Sequence, residues 1–190
     1  MTEKRKEKIL NVIRQRQPDL TLVLEDIHDP HNVSAILRTA DAVGILEVQL
    51  VYTNEEFPKL GKKSSASAIK WVKRRNFKSI KDCYDQLHEE GFSIYATHLG
   101  KKSKTLYELD LTKKVALVFG NEHRGVSSEA AKLADENFQI PMIGMIQSLN
   151  VSVACAVSLY ETFRQRLLQK KIIRLSEDKI QELFNEWIRK

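Results

Sequence analysis

The chain alternates between short, nearly uninterrupted apolar runs and longer segments in which apolar residues return every three or four positions. Runs of the first kind are Leu20–Glu25, Val48–Tyr52, Ser93–Thr97, Val115–Phe119 and Phe138–Ile140, with a weaker one around Trp71–Arg75. A strand with one wet face alternates apolar and polar residues. The run VALVF at Val115–Phe119 does not, so it predicts a strand covered on both faces, as in a parallel sheet. Helical spacing occupies Asn32–Val43, stopped by Gly44, and Ile80–Glu90, stopped by Gly91. A short helix is predicted from Ser127 or Ser128 to about Ala134, and a long one from Asn150 to about Lys170 with Val153, Val157 and Tyr160 on one side. Alternation of this kind predicts a three-layer α/β domain with a mostly parallel sheet.

The two ends depart from the alternation. Thr2–Arg16 carries Ile9, Leu10, Val12 and Ile13 before Pro18 interrupts, and Ser176–Trp187 carries Ile180, Leu183, Phe184 and Trp187 at helical spacing. The organisation expected is one domain over residues 1–190, with an N-terminal helix at 2–16 and a C-terminal helical extension at 171–190.

Charge changes the picture because it is clustered. The sequence has 31 Lys and Arg against 25 Asp and Glu, a formal net charge of +6. From Phe57 to Asp82 the basic residues Lys59, Lys62, Lys63, Lys70, Lys73, Arg74, Arg75, Lys78 and Lys81 occur without an intervening acid, and Arg164, Arg166 and Lys170 form a smaller group. Such stretches suit a polyanion. Trp71 and Phe77 lie inside the long one, and core packing is favoured over base stacking for both. No apolar run reaches the roughly 18 to 20 residues of a membrane span, and MTEKRKEKIL is not followed by a signal-peptide stretch, so a cytoplasmic protein is expected. Cys83 and Cys155 have neither disulfide-framework nor zinc-ribbon spacing, and His28 and His31 lack further ligands at metal spacing, so no metal is expected.

Familiar nucleotide loops are absent. The first strand-to-helix junction reads DIHDPHNVSAILR rather than G-x-G-x-x-G, and Gly120–Gly125 lacks the Lys-Ser or Lys-Thr of a phosphate loop. Three junctions instead carry amides, an acid and basic groups: Asn32 and Arg38 in the first, Asn121, Glu122 and Arg124 in FGNEHRGVS, and Ser148 and Asn150 in QIPMIGMIQSLNVSVA. Ligands of open α/β sheets lie outside the carboxyl ends of strands, where these junctions should gather.

HNVSAILRTADAVG, LVFGNEHRGVS and IPMIGMIQSLNVSVACAVSLYE, in this order, resemble the three motifs of the SpoU branch of the SPOUT RNA methyltransferases. The resemblance implies a homodimeric α/β fold with a deep C-terminal trefoil knot holding S-adenosylmethionine, and ribose 2′-O-methylation of RNA. Among branch members the compact chain looks most like those acting on guanosine 18 in the tRNA D-loop. The alternatives are an rRNA or anticodon-loop target, or a noncatalytic RNA-binding module. Carried over by motif, the resemblance implies catalytic roles for Asn32, Arg38, Glu122, Ser148 and Asn150, and cofactor contacts from Thr97, Gly120, Ile140, Met145 and Leu149. Lys62, Lys63, Lys73, Arg74, Arg75, Arg124, Arg164 and Arg166 are the expected RNA contacts.

Overall fold

VALVF does become the most deeply covered of the described strands, with no residue more than 1% exposed. The computed structural model describes residues 1–59 and 68–190 and contains a seven-stranded, wholly parallel sheet of order β3-β2-β1-β6-β4-β7-β5. The strands are β1 (Leu20–Glu25), β2 (Glu47–Val51), β3 (Lys73–Phe77), β4 (Ser93–Thr97), β5 (Lys104–Thr105), β6 (Val115–Phe119) and β7 (Glu136–Gln139). The helices are α1 (Glu3–Arg14), α2 (Pro30–Ala42), α3 (Ile80–Glu89), α4 (Ser128–Leu133), α5 (Val151–Leu168) and α6 (Glu177–Trp187). Every residue of β1 and β6 is buried. Alternate side chains divide between two layers: Leu20, Leu22, Leu24, Val115, Leu117 and Phe119 pack toward α2 and α5, while Val23, Ala116 and Val118 pack toward α3 and α4.

Several boundaries differ from expectation for local reasons. Helix α2 starts two residues before Asn32, because Asp29 caps it, accepting from His31 N at 2.8 Å, and Pro30 supplies a preset φ in its first turn. Asn32 is thus inside the helix rather than its cap. Strand β3 begins at Lys73 and runs to Phe77, since Trp71 belongs to the turn after the 3-10 segment Ala68–Lys70. Strand β7 starts at the polar Glu136, and the two-residue β5 is too short to show a pattern.

The end helices pack on each other. Ile9 and Ile13 of α1 meet Ile180, Leu183 and Trp187 of α6, with Trp71 against Trp187 at a ring separation of 5.1 Å. Arg16, fully buried, stacks over Trp187 at 5.1 Å and pairs with Asp41. Trp71 is therefore partly buried and packs against this end-helix cluster.

Two of the expected RNA contacts are structural instead. Arg166 is 0% exposed and donates to Leu111 O, Gln17 Oε1, Asp19 Oδ1, Asp19 O and Lys113 O over 2.7 to 3.1 Å. Its guanidinium bolts α5 to the approaches of β1 and β6 and is not available to RNA. Arg75 is held by Gln49 at 2.7 Å and Glu90 at 2.6 Å, bridging β3, β2 and the end of α3. Removing Arg166 strands the Asp19 carboxylate in the interior, so Arg166→Ala should lose about 3 to 5 kcal/mol of stability. Urea unfolding checks this; a loss below about 1 kcal/mol contradicts it.

Candidate active site

The carboxyl ends of β1, β6, β4 and β7 lie side by side, as the registers Leu24↔Phe119, Ala96↔Val118 and Thr97↔Phe138 show. The loops leaving them enclose a cavity of about 650 Å³ lined by Thr97, His98, Leu99, Phe119, Gly120, Glu122, Arg124, Phe138, Ile140, Met142, Ser148, Leu149 and Asn150, among others. This is where the sheet order reverses on either side of β1 and β6.

One chain of hydrogen bonds joins the three motif loops. Asn150 Nδ2 donates to Asn32 Oδ1 at 3.0 Å, and Asn32 Nδ2 donates to Glu122 Oε1 at 2.8 Å. Glu122 also accepts from His28 N at 2.9 Å and Asp29 N at 3.0 Å. An ionised carboxylate only accepts, so it dictates that Asn32 point its NH2 toward Glu122 and its oxygen toward Asn150. Asn150 in turn uses its oxygen to cap α5, accepting from Ser152 N at 2.8 Å and Val153 N at 3.4 Å. The capping role and the site role of Asn150 are the same geometry.

The second loop is closed tightly by glycine. A Cβ on Gly120 would lie 2.2 Å from Gly125 and Val126 backbone atoms, and Gly125 has φ of +69°. Asn121 fills the turn: its Oδ1 accepts from His123 N at 3.0 Å and Arg124 N at 3.2 Å, and its Nδ2 donates to Asp26 O at 2.8 Å. Glu25 holds the far end, accepting from Ser127 N at 2.8 Å.

The third loop is different. Among the described residues, none of the main-chain groups of residues 142–149 makes a hydrogen bond within the chain. The loop therefore offers free N–H and C=O groups beside the apolar walls of Leu99, Phe119, Phe138, Ile140, Met142 and Leu149. Such a surface fits a flat heteroaromatic ligand held by main-chain edges.

Of the expected cofactor contacts, Thr97, Gly120, Ile140 and Leu149 line this cavity, and Thr97 Oγ1 also donates to Val118 O at 2.9 Å. Met145 does not. It is 100% exposed, because the loop turns Met142 inward in its place. Arg38 stands apart as well: six residues at 100° each put it about 120° around α2 from Asn32. Asn32 is 8% exposed, whereas Arg38 faces solvent and has no hydrogen-bond or ion-pair partner among the described residues. Arg124 lines the cavity rim and reaches Glu55 at 3.4 Å. Lys62 and Lys63 lie outside the described residues. Asp26, an acid directly after a buried strand and outside the three motifs, joins the second loop to the first through its carbonyl, which accepts from Asn121 Nδ2.

The SpoU rRNA Methylase family model matches residues 19–160. The chain belongs to this family. A tRNA (guanosine(18)-2'-O)-methyltransferase of Thermus thermophilus is 47% identical over 191 residues, which is 100% of this chain and 98% of the relative. The crystal structure of the Aquifex aeolicus TrmH/SpoU tRNA modifying enzyme superposes with a TM-score of 0.91 at 39% identity, covering 97% of this chain and 95% of that one. The SpoU methyltransferase AviRb of Streptomyces viridochromogenes, solved with the cofactor AdoMet, gives 0.72 at 25% identity over 84% of this chain and 65% of that one. This SpoU member is thus an RNA methyltransferase using S-adenosylmethionine, and the cavity has walls and free main-chain groups that fit that cofactor.

Glu122 is ionised at neutral pH. Burial works to raise its pKa from the ordinary 4.5, but the Asn32 amide and the N–H groups of His28 and Asp29 outweigh burial and hold it below that value. A depressed carboxylate contributes stability that is present above the unfolded value and lost as pH falls through the folded one. Below about pH 4.5 the wild type should lose stability more steeply than Glu122→Gln, measured as thermal midpoint against pH. Parallel acid limbs for the two proteins would contradict this.

Proposed function

We propose that the chain methylates the ribose 2′-oxygen of guanosine 18 in the D-loop of tRNA, with S-adenosylmethionine held in the cavity by Thr97, Gly120, Ile140 and Leu149. The observation that carries the reading is the Asn150–Asn32–Glu122 relay, which locks three loops around one cavity at the sheet's carboxyl edge. The guanosine target rests on the similarity to the Thermus relative. The bound cofactor supplies an already activated methyl group. What remains for the protein is to orient the ribose oxygen and to favour loss of its proton.

Arg38 is the group for the second task. Its guanidinium has no partner among the described residues and so can pair with the target phosphate and stabilise charge developing on the 2′-oxygen. Loss of its own proton is disfavoured by a solution pKa above about 12, so electrostatic stabilisation is its role. Asn32 and Glu122 hold the start of α2, and Ser148 and Asn150 shape the third loop on the nucleotide side. Arg74, exposed on the edge strand β3, and Arg124 at the cavity rim are the leading backbone contacts. Lys73 reaches Glu186 at 3.0 Å and Arg164 is paired with Glu161 at 2.8 Å, so each must exchange a carboxylate for a phosphate to contribute.

Two further features belong to this reading. Val153, Tyr160 and Leu167 are exposed on α5 at seven-residue intervals, an apolar seam suited to a homodimer. The last strand, β7, lies between β4 and β5 rather than at an edge, as a knotted C-terminal segment would require. No helix among the described residues is long and apolar enough to cross a membrane, and a cytoplasmic location accords with a tRNA substrate.

Nucleoside mass spectrometry of tRNA and rRNA from a deletion strain should show loss of the 2′-O-methyl mark at guanosine 18; loss at another position would overturn the target. Arg38→Ala should lower kcat by about 10²-fold while cofactor affinity holds, whereas Arg74→Ala should weaken tRNA binding with kcat intact. Near-wild-type turnover by Arg38→Ala would remove it from the mechanism. Tyr160→Glu should sediment as a monomer at concentrations where the wild type is a dimer; an unchanged mass would rule out the α5 seam.

A further inference from the structure

We infer that Asp26 is a positioning residue for methyl transfer, setting where the first and second motif loops stand relative to each other. The inference rests on the proposed site, since it treats the Glu122–Asn32 contact as the feature being positioned.

Asp26 follows β1 directly and adopts φ of +50°, in the left-handed region that an L-residue other than Asn or Asp enters at a steric cost. It is 3% exposed and is not among the residues lining the cavity. Its Oδ1 accepts from three successive main-chain N–H groups, Thr53 at 2.9 Å, Asn54 at 3.2 Å and Glu55 at 3.3 Å, and Oδ2 accepts from Asn54 Nδ2 at 2.8 Å. Its own N–H donates to Val51 O at 3.0 Å, and its carbonyl accepts from Asn121 Nδ2 at 2.8 Å. One buried residue therefore ties the segment after β2 to the loop after β6.

Each tie ends at the site. Fixing residues 53–55 places Glu55 Oε2 3.2 Å from His28 Nδ1 and Oε1 3.4 Å from Arg124. Fixing Asn121 sets the turn whose next residue is Glu122. Tyr52 adds a further hold on the chain between β1 and α2, its hydroxyl donating to Ile27 O at 3.0 Å. His28 N and Asp29 N meet Glu122 within 3.0 Å because both partners are braced by Asp26. Burial works to raise the pKa of Asp26, but the Asn54 side chain and the three N–H groups outweigh it, so the group is a carboxylate at neutral pH.

Three substitutions separate backbone from side chain. Asp26→Asn keeps an acceptor oxygen and tolerates the left-handed backbone; Asp26→Gly keeps the backbone and removes the acceptor; Asp26→Ala loses both. Steady-state methylation of tRNA should give kcat within about twofold of wild type for Asp26→Asn, about tenfold lower for Asp26→Gly, and lower again for Asp26→Ala. S-adenosylmethionine affinity by calorimetry should stay within about threefold throughout, because the bonds of Asp26 reach Asn121 and Arg124 at the rim but neither the apolar walls nor the third loop. Wild-type kcat in Asp26→Gly, or an Asp26→Asn variant as impaired as Asp26→Gly, overturns the inference. If Asp26→Gly is too unstable to assay, Asn54→Ala removes one tie alone: lowered kcat with unchanged cofactor affinity supports positioning, and unchanged kcat overturns it. Asn32→Ala, run in parallel, tells the two readings apart. Full activity there sinks the proposed site itself, whereas loss there with wild-type Asp26→Gly sinks only the role of Asp26.

Discussion

A single acceptor-only group, the Glu122 carboxylate, sets the arrangement of the site. It takes two main-chain N–H groups from the β1–α2 connection and the amide of Asn32, and through Asn32 it orients Asn150 at the head of α5. The α5 cap acts from the other end, because the Asn150 oxygen accepts from Ser152 N and Val153 N and leaves its NH2 to face Asn32. The carboxylate and the cap thus impose the same direction on both amides. The three loops follow β1, β6 and β7, which lie within four neighbouring strands but carry partners 118 residues apart in sequence, so the relay depends first on the parallel register of β1, β6, β4 and β7. The sheet supplies position to within the width of a strand, and the carboxylate supplies the remaining fraction of an ångström.

The third loop shows the opposite strategy. Residues 142–149 leave their main-chain groups unpaired and expose Ile143, Met145 and Ile146, an arrangement that costs free energy in an isolated chain. Such a loop is anchored only at its ends, by β7 and by the Asn150 cap. The rigid pair of loops and the loose one thus divide the work: the former hold side chains in place, and the latter reserves donors and acceptors for a ligand.

The core was legible because burial on both faces writes itself into composition. Leu20–Glu25 and Val115–Phe119 are recovered residue for residue. What failed to show was whatever depends on a partner distant in sequence. Asn32 reads as the first residue of its helix until Asp29 and Pro30 are seen to start the helix, and it then becomes a buried link between Glu122 and Asn150. Arg166 reads as one more cation in a basic run, since nothing in the local pattern announces that Asp19, Gln17 and three carbonyl oxygens enclose it. Met145 and Met142 are indistinguishable by type and differ only in which way an irregular loop turns. The motif resemblance named loops that meet at one cavity, and how their side chains pair required coordinates.

Sorting the basic residues by their partners changes what the net charge of +6 can do. Arg16, Arg75 and Arg166 spend their charge inside the chain, on Asp41, Glu90 and Asp19, and contribute to cohesion rather than to an external field. Arg38 and Arg74 have no such carboxylate among the described residues and remain available to phosphate. The two are not equivalent, however. Arg74 stands on an edge strand, where a charge also guards the open edge against pairing with another sheet. Arg38 stands on a helix whose first turn is fixed by the Glu122 relay, so its position is inherited from the same carboxylate that fixes Asn32. Affinity for a polyanion needs only cations of the first kind. Acting on one particular oxygen, the role proposed above for Arg38, needs a cation whose backbone is held, and α2 is held in this way.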